Sequence, residues 1–365
     1  MSDSESPGPY PPGWVPSGPS TPPRNTKVRW IVGTVVVAIV VAVGALVVVT
    51  GRDLGSGSAG PGASTSAEPP PRPAAADTLP TTVASADDTG PLALLTADVT
   101  CGSWDNVQTA IGVAQRRGWA QRDPSVPATQ WSPDVQAQYQ AVGDALRSGT
   151  ATAVTLAAQT PSRAMRELYD AFVVYGRAYA DALPTYQAQD DALATTSLAA
   201  LDSITNVCAA NRSITAMPKL PDVEPAPPPT APPVVGDPAN PPRFLPGAPS
   251  NPVCDAWITA SADLRTQIQP WLALDPGVGV GQWTAEQRTV QDDAAQTFAA
   301  HADAMEAAGR RSGNAVFEDF ATFGALYLRG FVAEEPLYWS GVHDLAEVGM
   351  SVDGLLAAAC QATAS

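Results

Sequence analysis

The sequence predicts an all-α protein: two duplicated four-helix units outside a membrane, preceded by one N-terminal transmembrane helix and disordered Pro-rich segments. Three observations predict it. Residues 101–208 and 254–360 carry matching Cys, Trp, Pro and Tyr landmarks at a spacing near 152. Aromatic residues in both copies recur at steps of three and four, which places them on one face of a helix. A run of twenty uncharged residues, Ile31 to Thr50, contains thirteen Val, Ile or Leu. At 1.5 Å per residue such a run covers about 30 Å, the thickness of a bilayer's hydrocarbon core.

The flanks of that run set its orientation. Arg24, Lys27 and Arg29 precede it, Trp30 sits at its edge, and Arg52 and Asp53 follow and cancel. The positive-inside rule then puts the N-terminus in the cytoplasm and everything after residue 50 outside. The apolar run is too long for a signal peptide, and the small-residue triplet Ala74-Ala75-Ala76 is far downstream, so an uncleaved signal-anchor is expected. Residues 1–30 form a Pro-rich tail whose patch Pro9-Tyr10-Pro11-Pro12-Gly13-Trp14 suits polyproline II. Residues 51–90, rich in Gly, Ser, Ala, Thr and Pro, read as a tether. With the Arg-over-Lys usage (only Lys27 and Lys219 are lysines), residues 1–90 resemble the Pro-rich single-pass membrane proteins of mycobacteria and related actinobacteria. That resemblance implies a place in the cell envelope and no functional residue.

The duplication organises the remainder as unit 1 (91–217), a Pro-rich linker (218–252) and unit 2 (253–365). Cys101-Gly-Ser-Trp104 matches Cys254-Asp-Ala-Trp257, Trp131 matches Trp283, Tyr186 matches Tyr338, and Cys208 matches Cys360. Leu168–Tyr179 aligns with Val316–Tyr327 at an offset of 148, implying a local slip of four residues. Ser132 and Thr284 read as helix N-caps, with Pro133 at the first helical position and Gln287 completing a capping box. Helices are expected near 102–117, 132–158, 162–182 and 186–210, and near 253–269, 284–308, 314–332 and 337–362. The linker holds fourteen Pro in thirty-five residues. Fully extended it would span up to roughly 100 Å, and the sequence leaves open whether it separates the units or lies across one.

The four cysteines stand at the start and end of each unit. In an oxidising compartment the duplication favours Cys101–Cys208 and Cys254–Cys360, one staple per unit. No Cys-x-x-Cys, His-Glu-x-x-His, Gly-x-Ser-x-Gly or phosphate loop occurs, so no catalytic, metal or cofactor site is predicted and the chain is not expected to be an enzyme. Gly277-Val-Gly279-Val-Gly281 follows no strand and reads as a connection. His301, near Asp292 and Asp293, and His343, four residues before Glu347, are read as surface histidines. Trp119, Trp271 and Trp339 are taken as exposed and unmatched between the copies, hence as candidate contact surfaces. The whole chain carries −16, and residues 251–365 carry five basic and fifteen acidic side chains. Such a surface argues against nucleic acid as a partner. The sequence points to an envelope protein displaying helical bundles to protein partners, or else to a sensor with a small-ligand pocket inside a bundle, near Gly176 and Gly324. It does not disclose the oligomeric state.

Overall fold

The computed structural model describes residues 82–364, except 218, 230, 232 and 246–250. The apolar run 31–50, the tail before it and the tether to residue 81 lie outside the described residues. No helix among the described residues is long and apolar enough to cross a membrane. The described residues fall within one compact unit.

The described regular structure is all helical. The first half contains α1 (Cys101–Gln115), α2 (Pro133–Gln159), α3 (Arg163–Ala182) and α4 (Asp191–Ala216). The second contains α5 (Cys254–Gln267), a short α6 (Gln269–Leu272), α7 (Ala285–Arg311), α8 (Ala315–Glu334) and α9 (Ser340–Ala364). The predicted helices are found within a few residues of their expected bounds. The largest differences are in α4, which runs on to Ala216 and starts at Asp191 because Ala188–Asp190 forms a 3-10 turn closed by the Gln187 N–H on Asp190 Oδ2 at 2.8 Å. Pro270, which lacks an N–H to continue the ladder, marks the short α6 off from α5.

The caps work as their residue types dictate. Ser132 Oγ accepts the Val135 N–H at 3.3 Å with Pro133 beginning the helix. Thr284 and Gln287 bond reciprocally at 3.1 and 2.9 Å. Replacing Ser132 by Ala is expected to cost about 1 kcal/mol, read as a lower urea midpoint with an unchanged transition slope. The staples are Cys101–Cys208 and Cys254–Cys360, each joining the first helix of a half to its last.

The two halves repeat at a nearly constant offset, which corrects the expected slip. Helices α3 and α8 are both twenty residues long, and their caps Ser162 and Asn314 are 152 apart. The Trp131 and Trp283 indoles donate to Val126 O and Val278 O, both at 2.9 Å. The Tyr186 and Tyr338 hydroxyls donate to Pro124 O and Pro276 O. Tyr175 therefore corresponds to Tyr327, and Tyr179 to Phe331. A slip of four residues returns an aromatic stripe to the same helix face, so the stripe matches itself almost as well one turn out of register. Trp119 and Trp271 are likewise equivalents, and both are buried at 2% exposure. The Trp119 indole donates to the Tyr179 hydroxyl at 2.9 Å, and Trp271 packs edge-on to Phe331. They are core residues rather than contact surfaces; Trp339 is 37% exposed.

The halves are joined along α4 and α9, the most extensive helix–helix contact in the unit, with α3 and α8 meeting beside it. The segment before each half crosses to the other. Leu92 pairs with Ala226, the Leu95 N–H reaches the Tyr327 hydroxyl, and Leu94 packs at Gly330. Phe244 of the linker packs edge-on to both Tyr175 and Phe320, and its carbonyl accepts from Asn314 Nδ2. Arg177 donates to Ala239 O at 2.5 Å. The described linker thus lies across the joint as a strap and does not hold the halves apart.

Candidate functional site at the seam

Helix α3 opens with Arg163, Arg166, Glu167 and Asp170, at spacings that put all four on one face. On an isolated helix that face would be solvated. Here it meets α8 and the straps. Arg163 and Asp319 are each 1% exposed, and Arg163 Nε and Nη2 donate to the two Asp319 oxygens at 2.7 and 3.2 Å. Arg163 Nη1 also donates to Asp88 O at 2.5 Å and to Gly90 O, which ties the first strap to the seam. Arg166 donates to Glu167 Oε1 at 3.1 Å and to Ser85. The register places Glu167 and Asp319 at equivalent positions, 152 apart, so the same acidic position of both halves faces the seam.

A cavity of about 80 Å³ lies beside this cluster, lined by Arg166, Glu167, Asp170, Asp237, Phe244 and Val316 among others. Burial pushes the Asp170 carboxyl up to about 7 against the pull of Arg166. Burial, and then the negative charge of Asp319, hold the Glu167 carboxyl well above its ordinary range. Glu167 Oε2 is buried with no donor facing it.

Both histidines differ from the expectation of surface positions. His301 is largely buried, and its Nε2 lies 3.1 Å from Asp353 Oδ1. Ser261 Oγ donates to the other oxygen of Asp353 at 2.5 Å, and the Trp257 indole donates to the Asp353 carbonyl. Serine and histidine both bind the carboxylate and not each other, so no histidine is poised to take the serine proton. The neighbouring Asp292 and Asp293 make no ion pair with His301. In the first half the equivalent of His301 is Gly149, which lets Val107 and Ile111 press against α2. His343 stacks on Trp271 at 4.7 Å, contacts Glu347 at 3.1 Å, and its Nδ1 lies 3.4 Å from the Tyr338 hydroxyl oxygen. No group of three or more His, Cys, Asp or Glu able to hold a metal ion occurs among the described residues.

The space beside the two suspected pocket glycines is filled. A Cβ on Gly176 would meet Ser197 Oγ at 2.9 Å, and one on Gly324 would meet Met305 Cε at 2.7 Å. Both admit a close neighbour, as their place in a helix suggested, but the neighbour is the protein's own core.

The family of the Mycobacterial ESX-1 associated protein matches residues 83–365. The chain belongs to that family. An uncharacterised protein of Mycolicibacterium smegmatis (strain MKD8) is 36% identical over 350 residues, covering 95% of this chain and 90% of its own length. No solved structure matches the chain. The matched residues include both bundles, both straps and the seam of this chain. Sequence reasoning missed the seam, because its central pair, Arg163 and Asp319, stands 156 residues apart.

Proposed function

We propose that this member of the ESX-1 associated family is a membrane-anchored, extracytoplasmic interaction protein. In this reading the run 31–50 spans the membrane, and the twin bundle is displayed beyond it to ESX-1 components. The observation that carries the reading is the pair of staples, Cys101–Cys208 and Cys254–Cys360, with no free cysteine left among the described residues. Disulfides of this kind persist in oxidising compartments. The acidic second half, with fifteen acidic against five basic side chains, suits a soluble displayed domain. A protein-contact role is favoured over a small-ligand receptor. The space inside the bundles beside Gly176 and Gly324, where such a pocket was expected, is filled by Ser197 and Thr150 and by Met305 and Val352. We assign the protein no catalytic step.

The test is crosslinking in intact cells, with mass spectrometry of captured partners, for the full chain and for a chain ending at residue 82. ESX-1 components are expected only with the full chain. A partner set independent of residues 83–365 would overturn the reading. A membrane-impermeant maleimide supplies the topology: Ser365→Cys is expected to label in intact cells and Ser17→Cys only after lysis. The reverse pattern would refute the orientation.

A further inference from the structure

Glu167 and Asp319 occupy equivalent positions on α3 and α8, and both are buried where the halves meet. Their surroundings are unequal. Asp319 receives two hydrogen bonds from Arg163, whereas Glu167 receives one from Arg166 on Oε1 and none on Oε2. A buried carboxylate oxygen without a donor is costly. Glu167 also lies within hydrogen-bonding reach of Asp319. Two carboxylates cannot bond to each other, but a carboxyl and a carboxylate can, and like charges this close favour a single ionisation. We infer that the seam holds one proton, carried on Glu167 Oε2 and donated to Asp319, and that loss of this proton loosens the first half from the second.

The charged groups facing the pair are few. Arg163, Arg166 and Asp170 come from α3 itself; Asp88 comes from the first strap and Asp237 from the linker strap. Arg163 is committed to Asp319 and to the strap carbonyls of Asp88 and Gly90. Arg166 is shared between Glu167, Asp170 and Ser85. Neither arginine donates to Oε2, so an ionised Glu167 would face Asp319 with that oxygen bare. The cavity beside Glu167, closed by the linker strap, borders the same cluster. The sign follows from the shift. A carboxyl whose folded value is raised contributes stability that is complete below its ordinary value of 4.5 and is lost as pH rises through the folded value.

Hydrogen exchange on the full chain, corrected for intrinsic rate, tests the inference. Between pH 6 and pH 9, amide protection in α3 and α8 is expected to fall at least tenfold in the wild type. In Glu167→Gln combined with Asp170→Asn, where the Gln amide donates to Asp319 and neither cavity carboxyl titrates, it is expected to fall less than threefold. Asp170→Asn alone, which removes the other carboxyl that burial brings to about 7, is expected still to show at least a tenfold fall. Infrared spectra at pH 7 give a second readout: the protonated-carboxyl band of Asp170→Asn is expected to lose one carboxyl's intensity when Glu167→Gln is added. Should Glu167→Gln fail to fold, Asp319→Asn serves in its place, because its amide donates to Glu167. A pH dependence unchanged by substitution at either carboxyl, or no protonated carboxyl at pH 7, would overturn the inference.

Discussion

Replacing Arg163 by methionine is expected to lower stability by about 3–5 kcal/mol, the range for breaking a buried ion pair from one side. The cost comes from what is left behind. Asp319, at 1% exposure, loses two donors, and the carbonyls of Asp88 and Gly90 lose theirs. The arginine itself resists neutralisation: burial works against its charge, but its bonds to Asp319 more than compensate. Urea unfolding at pH 7 reads the effect as a lower midpoint. The double variant Arg163→Met with Asp319→Leu is expected to recover much of the loss, since a well-packed apolar pair can replace a buried ion pair at little cost. If Arg163→Met alone fell within about 1 kcal/mol of wild type, the range of exposed pairs, the seam would not depend on this contact.

Removing either staple as a Cys-to-Ala pair is expected to cost about 2–5 kcal/mol. The bridges close loops of nearly equal length, with sequence separations of 107 and 106. The chain-entropy account gives roughly 4.7 kcal/mol for a loop of about 100 residues, and it predicts near-equal effects for Cys101/Cys208 and Cys254/Cys360. Urea midpoints of the two double variants, set against the wild type, decide the matter. A difference above about 2 kcal/mol between the variants would show that local packing, and not loop closure, sets the contribution. Asn211, whose side-chain amide lies 3.9 Å from Cys101 Sγ, is replaced by Thr363 at the equivalent position of the second half and would be the first residue to examine.

Much of the fold is legible in the residues themselves. Ser132-Pro133 and Thr284 with Gln287 announce helix starts through local chemistry alone, and the cysteine pairs follow from the duplication. What could not be read depends on distant partners. Arg163, Arg166, Glu167 and Asp170 form the pattern that ordinarily marks a solvated face. Only Asp319 and the straps make that face a buried one. His301 carries no periodic signal, and its partner Asp353 lies 52 residues on. The linker's prolines predict an extended chain but not where it rests. Phe244, the one aromatic of the linker, is the signal that could have located it, and it sits between Tyr175 and Phe320.

The crossing of the first strap fixes how mechanical load would enter the molecule. Tension arriving from upstream of residue 82 reaches Asp88 and Gly90, clamped by Arg163, and then Leu94 and Leu95, seated on Gly330 and Tyr327. The Ala84 N–H on Ala158 O and the Arg166 bond to Ser85 meet it first, so both bundles share the load before any of it reaches α1. A tug on the leading end therefore pulls on both bundles at once, through side chains and carbonyls outside their first helices.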